Sequence, residues 1–193
     1  MKKILIATAV GLLVAGSVAA QESPWLARAR AVNLSMANDS TIAGLTVSDK
    51  TIGEVDVSYF FSKNIAAELI LTVPQKQAVS LNGGDFGSFK HLPPTLTVQY
   101  HFTDFQNFKP YVGAGLNYTK ITGDHLSTGY NLDGHSFGAA IQAGVDVPLT
   151  KQVSLNFDVK KVNIKTDVYL NGSKAGTLKL DPVLVGVGVG YRF

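Results

Sequence analysis

The chain contains no cysteine. A disulfide framework, a thiol nucleophile and a thiolate metal site are all excluded, so stability must come from packing or from a closed hydrogen-bond network. Net charge is nearly as scarce. Of the formal +3, Lys2 and Lys3 supply two, leaving about +1 for the rest. A chain so close to neutral has no long-range field to gather nucleic acid, which is not an expected partner. No long apolar run occurs after the first twenty residues. That excludes a bundle of membrane-spanning helices but not a barrel, whose apolar signal is diluted by alternation. Helical periodicity is scarce as well.

What is present begins with MKKILIATAVGLLVAGSVAAQ: two lysines, an apolar stretch from Ile4 to Gly16, and small residues from Ser17 to Ala20. This reads as a bacterial secretory signal peptide. Val18 and Ala20 meet the small-residue requirement for cleavage before Gln21, giving residues 1–20 as signal and 21–193 as one mature domain.

Beyond it the pattern has a period of two. In EVDVSYFF, Val55, Val57, Tyr59 and Phe61 share one face, with Glu54, Asp56, Ser58 and Phe60 opposite. TLTVQYHF sets Leu96, Val98, Tyr100 and Phe102 against Thr95, Thr97, Gln99 and His101. Eight such segments occur, near 25–36, 51–62, 64–74, 94–103, 109–121, 135–149, 151–169 and 177–193. Connections at 37–50, 75–93, 122–134 and 170–176 are long or turn-rich, whereas those near Lys63, 104–108 and Thr150 are short. Long-short alternation with an even count predicts an all-β, eight-stranded antiparallel up-and-down barrel with its long loops at one end.

A soluble barrel would bury its apolar face. Eight strands, however, enclose a lumen just wide enough for side chains. The narrow face, with Gly113, Gly115, Gly138, Gly144, Gly186, Gly188 and Gly190, suits that crowded interior. The broad Val/Leu/Ile/aromatic face must then point outward, to lipid. Trp25, Tyr59, Phe61, Tyr100, Phe102, Tyr111, Tyr191 and Phe193 are predicted at the short-turn end, and Tyr118, Tyr130, Phe137 and Tyr169 toward the long-loop end. Two aromatic girdles around an apolar band define a transmembrane β-barrel.

The fragments DKTIGEVDVSYFFSKNIAAELILT, GSFKHLPPTLTVQYHF, FKPYVGAGLNYT, QAGVDV and DPVLVGVGVGYRF, in this order from about Pro24 to Phe193, resemble the OmpW family of small Gram-negative outer-membrane proteins. The resemblance implies an outer-membrane location with periplasmic termini and extracellular long loops. It also implies a narrow, partly hydrophobic lumen and passage of small hydrophobic compounds. Many members carry Trp after the Asp-Pro of the last strand; here Asp181-Pro182 is followed by Val183. As in outer-membrane proteins generally, a terminal aromatic after Tyr-Arg implies recognition by the barrel-insertion machinery, through Tyr191 and Phe193.

The inward parity places charge low and in the middle of the lumen: Arg28, Arg30, Glu54, Asp56, Glu68, Asp146, Asp158 and Arg192. Unpaired charges are costly in so small a space, so ion pairing is expected, with Arg28 or Arg30 on Asp56 the first pair. Above this plug the same parity gives Val32, Leu34, Ile52, Ile70, Val162, Ile164, Leu178, Leu180 and Leu184, an apolar cup open toward the long loops. The arrangement suits a small hydrophobic ligand that enters from outside, binds above the plug and leaves sideways into the membrane. The alternative is a receptor, adhesion or structural role carried by loops 37–50 and 75–92. Expected partners are outer-membrane lipid and lipopolysaccharide; outward Lys161 and Lys165 at the upper end of strand seven either meet the latter or are simply solvated.

No cofactor or metal is expected, and catalysis is not. Asp124, His125 and Ser127 share a long loop, but nucleophilic catalysis needs a base held against its serine and oriented by a third group. His91 and His135 have no metal-ligand spacing, and His101 reads as a lumen filler. GVGVG lacks the spacing and the following helix of a nucleotide loop.

Overall fold

The computed structural model describes residues 23–193. The signal-peptide segment lies outside them. Eight antiparallel strands close on themselves: β1 (Trp25–Ser35), β2 (Lys50–Phe60), β3 (Ile65–Thr72), β4 (Thr95–His101), β5 (Lys109–Leu126), β6 (His135–Pro148), β7 (Val153–Val162) and β8 (Val183–Arg192). Each pairs with its sequence neighbour, and β8 pairs back onto β1 from Leu26↔Arg192 to Ser35↔Val183. Closure leaves no edge within the membrane, where an unpaired backbone group would find no water.

Alternation dictates which side chains meet lipid. On β8, Val183, Val185, Val187, Val189 and Tyr191 are exposed, while Leu184 and the glycines face the lumen. A Cβ on Gly188 would collide with the Ala29 carbonyl and crowd the Arg30 side chain, so only glycine lets β1 lay its arginines across the interior. At the short-turn end the outward aromatics contact each other edge to face: Trp25 with Tyr59 at 4.9 Å, Tyr59 with Phe61 at 5.2 Å, Tyr100 with Phe102 at 5.1 Å and Tyr191 with Phe193 at 5.2 Å. Exposed Tyr118 and Phe137, opposite each other on β5 and β6, mark the other girdle.

Three details differ from the sequence reading. Tyr111, expected in the outer girdle, is 1% exposed and points inward, because it shares the parity of Gly113, Gly115 and Asn117 on β5. The long connections are not loops but pleated extensions. A hairpin of Gln75–Leu81 and Gly84–Leu92 pairs on one side with the upper half of β5 and on the other with Leu45–Val47. A second hairpin, Lys165–Leu170 with Ser173–Lys179, pairs with Tyr130–Leu132 and Asp39–Ser40. Finally, the segments predicted as 151–169 and 177–193 are interrupted. β7 stops at Val162 and β8 starts at Val183, since Pro182 offers no N–H and Asp181 takes a φ of 32°. The Asp181 carboxylate accepts the Ile164 N–H at 2.8 Å, which fixes the break.

Both extensions turn their apolar faces inward. Leu45, Val47, Val79, Phe86, Phe89, Ile121, Val168 and Leu178 join Val32, Leu34, Ile52, Val162, Ile164, Leu180 and Leu184 in one buried cluster. The cup expected to open toward the long loops is therefore roofed.

Candidate functional site

The lumen has two storeys, and β1 builds the lower one. Arg28 and Arg30 stand two residues apart and so project to the same side of the wall. Their cross-strand partners on β2 are Asp56 and Glu54. Arg28 donates from Nη1 to Asp56 Oδ1 at 3.2 Å and from Nη2 to Asp146 Oδ2 at 2.7 Å, with Nε on Asp146 Oδ1 at 3.1 Å. Arg30 donates to Glu54 Oε1 at 2.8 Å, to Glu68 Oε1 at 2.9 Å and to Asp56 Oδ2. Lys160 bridges Glu54 at 2.8 Å and Asp158 at 3.0 Å. The planar guanidinium can serve several carboxylates at once, which lets two arginines knit together charges from β2, β3 and β6.

Neutral side chains complete the network. Glu68 Oε2 accepts from Thr97 at 3.1 Å, Gln99 at 2.7 Å and Gln142 at 2.6 Å. The Tyr111 hydroxyl donates to Asp158 at 2.7 Å and its ring stacks on His101 at 5.0 Å. A Cβ on Gly144 would strike that tyrosine ring, so a glycine opposite makes its inward position possible. Arg192 sits at the lower mouth, its guanidinium 4.2 Å from the Phe60 ring centroid and its Nε donating to the Ser23 carbonyl at 2.9 Å. The network thus joins side chains of β1, β2, β3, β6 and β7 across the bore.

Above it lies the apolar storey. Val32, Leu34, Ile52, Ile70, Val162 and Leu184 come from barrel strands, all of them buried. Ile164 lies at the β7 break, and Leu178 belongs to the second hairpin rather than to β8. A narrow pocket is lined by Leu34, Ile52, Ile70, Val162, Ile164 and Leu184. Glu54 and Lys160 form its floor, and Thr72, His91, Pro93 and Thr95 one side. Two wall ladders end beside it: β2–β3 at Glu54↔Thr72, and β3–β4 at Ile70↔Thr95, where Pro93 and Pro94 cannot donate.

Sequence reasoning left three participants out of the charged set or misplaced them. Lys160 carries the inward parity and a charge, which is signal enough; Tyr111 is betrayed by its glycine neighbours. His91 is 1% exposed and sits opposite Gln75 in the first hairpin, a placement legible only once that hairpin is seen to fold over the barrel. Asp124 and His125 lie on the upper part of β5, where the Asp124 carboxylate accepts the Leu132 N–H at 3.0 Å. Among the described residues no group of three or more His, Cys, Asp or Glu side chains is gathered for a metal.

Known proteins resemble this chain over most of its length. An uncharacterized outer-membrane protein, y4mB, of Sinorhizobium fredii is 44% identical over 190 residues, covering 91% of this chain and 82% of that one. Outer membrane protein W of Vibrio cholerae is 34% identical over 197 residues, covering 90% of each. The crystal structure of outer-membrane protein OprG from Pseudomonas aeruginosa superimposes with a TM-score of 0.77 at 25% identity, covering 89% of this chain and 97% of that one. With the OmpW family model matching residues 17–193, the chain belongs to the OmpW family of outer-membrane barrels.

Proposed function

We propose that this barrel mediates passive passage of small hydrophobic molecules from outside into the membrane, by way of the apolar upper storey. The protein resides in the bacterial outer membrane, with its termini in the periplasm and its long hairpins outside. The observation that carries the reading is the stacking of an apolar cavity directly on an ion-paired floor, beside wall ladders that end. A hydrophobic solute gains by leaving water for such a cavity, at roughly 25 cal/mol per Å² of apolar surface buried. It gains nothing by crossing the plug, where it would displace paired charges. The exit consistent with both facts is sideways, between β2, β3 and β4. A relative 27% identical over 192 residues is named dibenzothiophene metabolism operon protein DoxH, from Pseudomonas sp. (strain C18). Its name links that relative to metabolism of an apolar compound, in keeping with this reading.

The test is uptake of an apolar solute into liposomes. Leu34→Asp and Ile70→Asp place a carboxylate among apolar neighbours and are expected to abolish uptake while the barrel still assembles. Uptake equal to the wild type in both assembled variants would remove the case for the upper storey.

A further inference from the structure

The apolar storey is not wholly apolar. His91 is almost completely buried, and neither Nδ1 nor Nε2 has a hydrogen-bond partner. The Thr72 hydroxyl is likewise buried and unpartnered. Both residues line the cavity on the same side, close to the ends of the two wall ladders. A buried polar group without a partner carries its full desolvation penalty. Arg30 Nε, Gln77 Nε2, Gln142 Oε1 and Asn156 Oδ1 are unpartnered too, but His91 and Thr72 are the ones among the described residues that line the apolar pocket, where a solute can reach them.

We propose that the upper lumen selects apolar molecules bearing one neutral hydroxyl, as in a phenol or a long-chain alcohol, and holds that hydroxyl between His91 and Thr72. The inference rests on the passage reading above and names the solute class within it. A hydroxyl both donates and accepts, so it can satisfy an imidazole nitrogen in either role and still engage the threonine. The imidazole is kept neutral. It lies beyond the Tyr118–Phe137 girdle, where burial first and the nearby Lys50 ammonium second push its pKa down to about 4. An anionic head fits less well. The floor presents Glu54 already paired with Lys160, and the plug as a whole holds five carboxylates (Glu54, Asp56, Glu68, Asp146, Asp158) against three cations (Arg28, Arg30, Lys160).

The experiment compares 1-naphthol with naphthalene, two ligands alike in shape that differ by the hydroxyl. Binding to the full barrel in lipid nanodiscs is read from ligand fluorescence, against empty nanodiscs. The wild type is expected to prefer the alcohol beyond its partitioning into lipid. His91→Leu is expected to lower 1-naphthol affinity about fivefold, the worth of one hydrogen bond, and to leave naphthalene unchanged or tighter. His91→Gln, which restores a donor and an acceptor, is expected to recover part of the loss. Thr72→Val provides an independent variant that keeps the side-chain shape. Equal excess affinity for both ligands in the wild type, or unchanged 1-naphthol binding in both His91→Leu and Thr72→Val, would overturn the hydroxyl assignment while leaving passage standing. Failure of the wild type to bind either ligand would overturn both.

Discussion

Arg30→Met is the most informative single change in the plug. Arg30 is fully enclosed and reaches Glu54, Asp56 and Glu68 directly, with Asp158 at 3.6 Å. Methionine fills much of the same volume but supplies no charge. Breaking a buried ion pair by removing one partner costs about 3–5 kcal/mol, chiefly because the other charge stays behind. Here each deserted carboxylate keeps one cation: Glu54 has Lys160, while Asp56 and Glu68 have Arg28. The expected loss is therefore at the lower end, about 3 kcal/mol. Carboxylates outnumber cations in this network, so the reverse change should be cheaper. Asp158→Asn leaves an oxygen for the Tyr111 hydroxyl and frees Lys160 for Glu54, and is expected to cost about 1 kcal/mol or less. Urea unfolding of the barrel in lipid measures both. The single tryptophan, Trp25, stands exposed at the girdle and reports departure from the bilayer by its emission. Equal losses for the two variants, or an Arg30→Met loss below about 1 kcal/mol, would refute the claim that buried cations are the limiting partner.

Two further outcomes follow from the same geometry. Because His91 titrates near 4 in the folded protein rather than at its ordinary 6.5, the unfolded chain binds more protons between those values. Stability is then full above about pH 6.5 and falls as the pH drops toward 4, by roughly 3 kcal/mol, and the difference between wild type and His91→Leu in urea midpoints at pH 7.5 and 4.5 measures it. A pH dependence identical in the two proteins would contradict the assignment. Deleting Phe193 is expected to lower the amount of barrel inserted in cells while changing the unfolding free energy of recovered protein by less than about 1 kcal/mol. Its ring is partly exposed and contacts Tyr191, so little packing is at stake; a large stability loss with normal insertion would make it a structural residue instead.

The barrel was legible because a closed sheet in lipid enforces one rule at every residue, and β8 obeys it from Val183 to Tyr191. The same rule exposes the lumen charges, and adjacency on β1 and β2 is enough to pair Arg28 with Asp56. Tyr111 shows two signals in conflict: aromatic character suggests the girdle, whereas its parity with Gly113 and Gly115 fixes it inside. The roof was hidden for a different reason. Val79 pairs with Val47, and Lys90 with Thr122, across long stretches of chain. Such pairings depend on which extension leans on which, and local alternation is silent about that.

The roof also bears on how solute would move in the proposed passage. Phe86, Phe89, Leu45 and Val47 cover the cup and join its lining residues in one buried apolar cluster. Those covering residues come from the first hairpin, which meets the barrel wall only along β5, and from the three-residue strand Leu45–Val47, whereas the plug is fastened by ion pairs from five strands. Local opening follows the weaker set of contacts. The upper side wall and roof are thus the parts that can yield to an arriving apolar molecule while the floor stays shut, and the polar pair His91 and Thr72 sits where that yielding wall meets the fixed barrel.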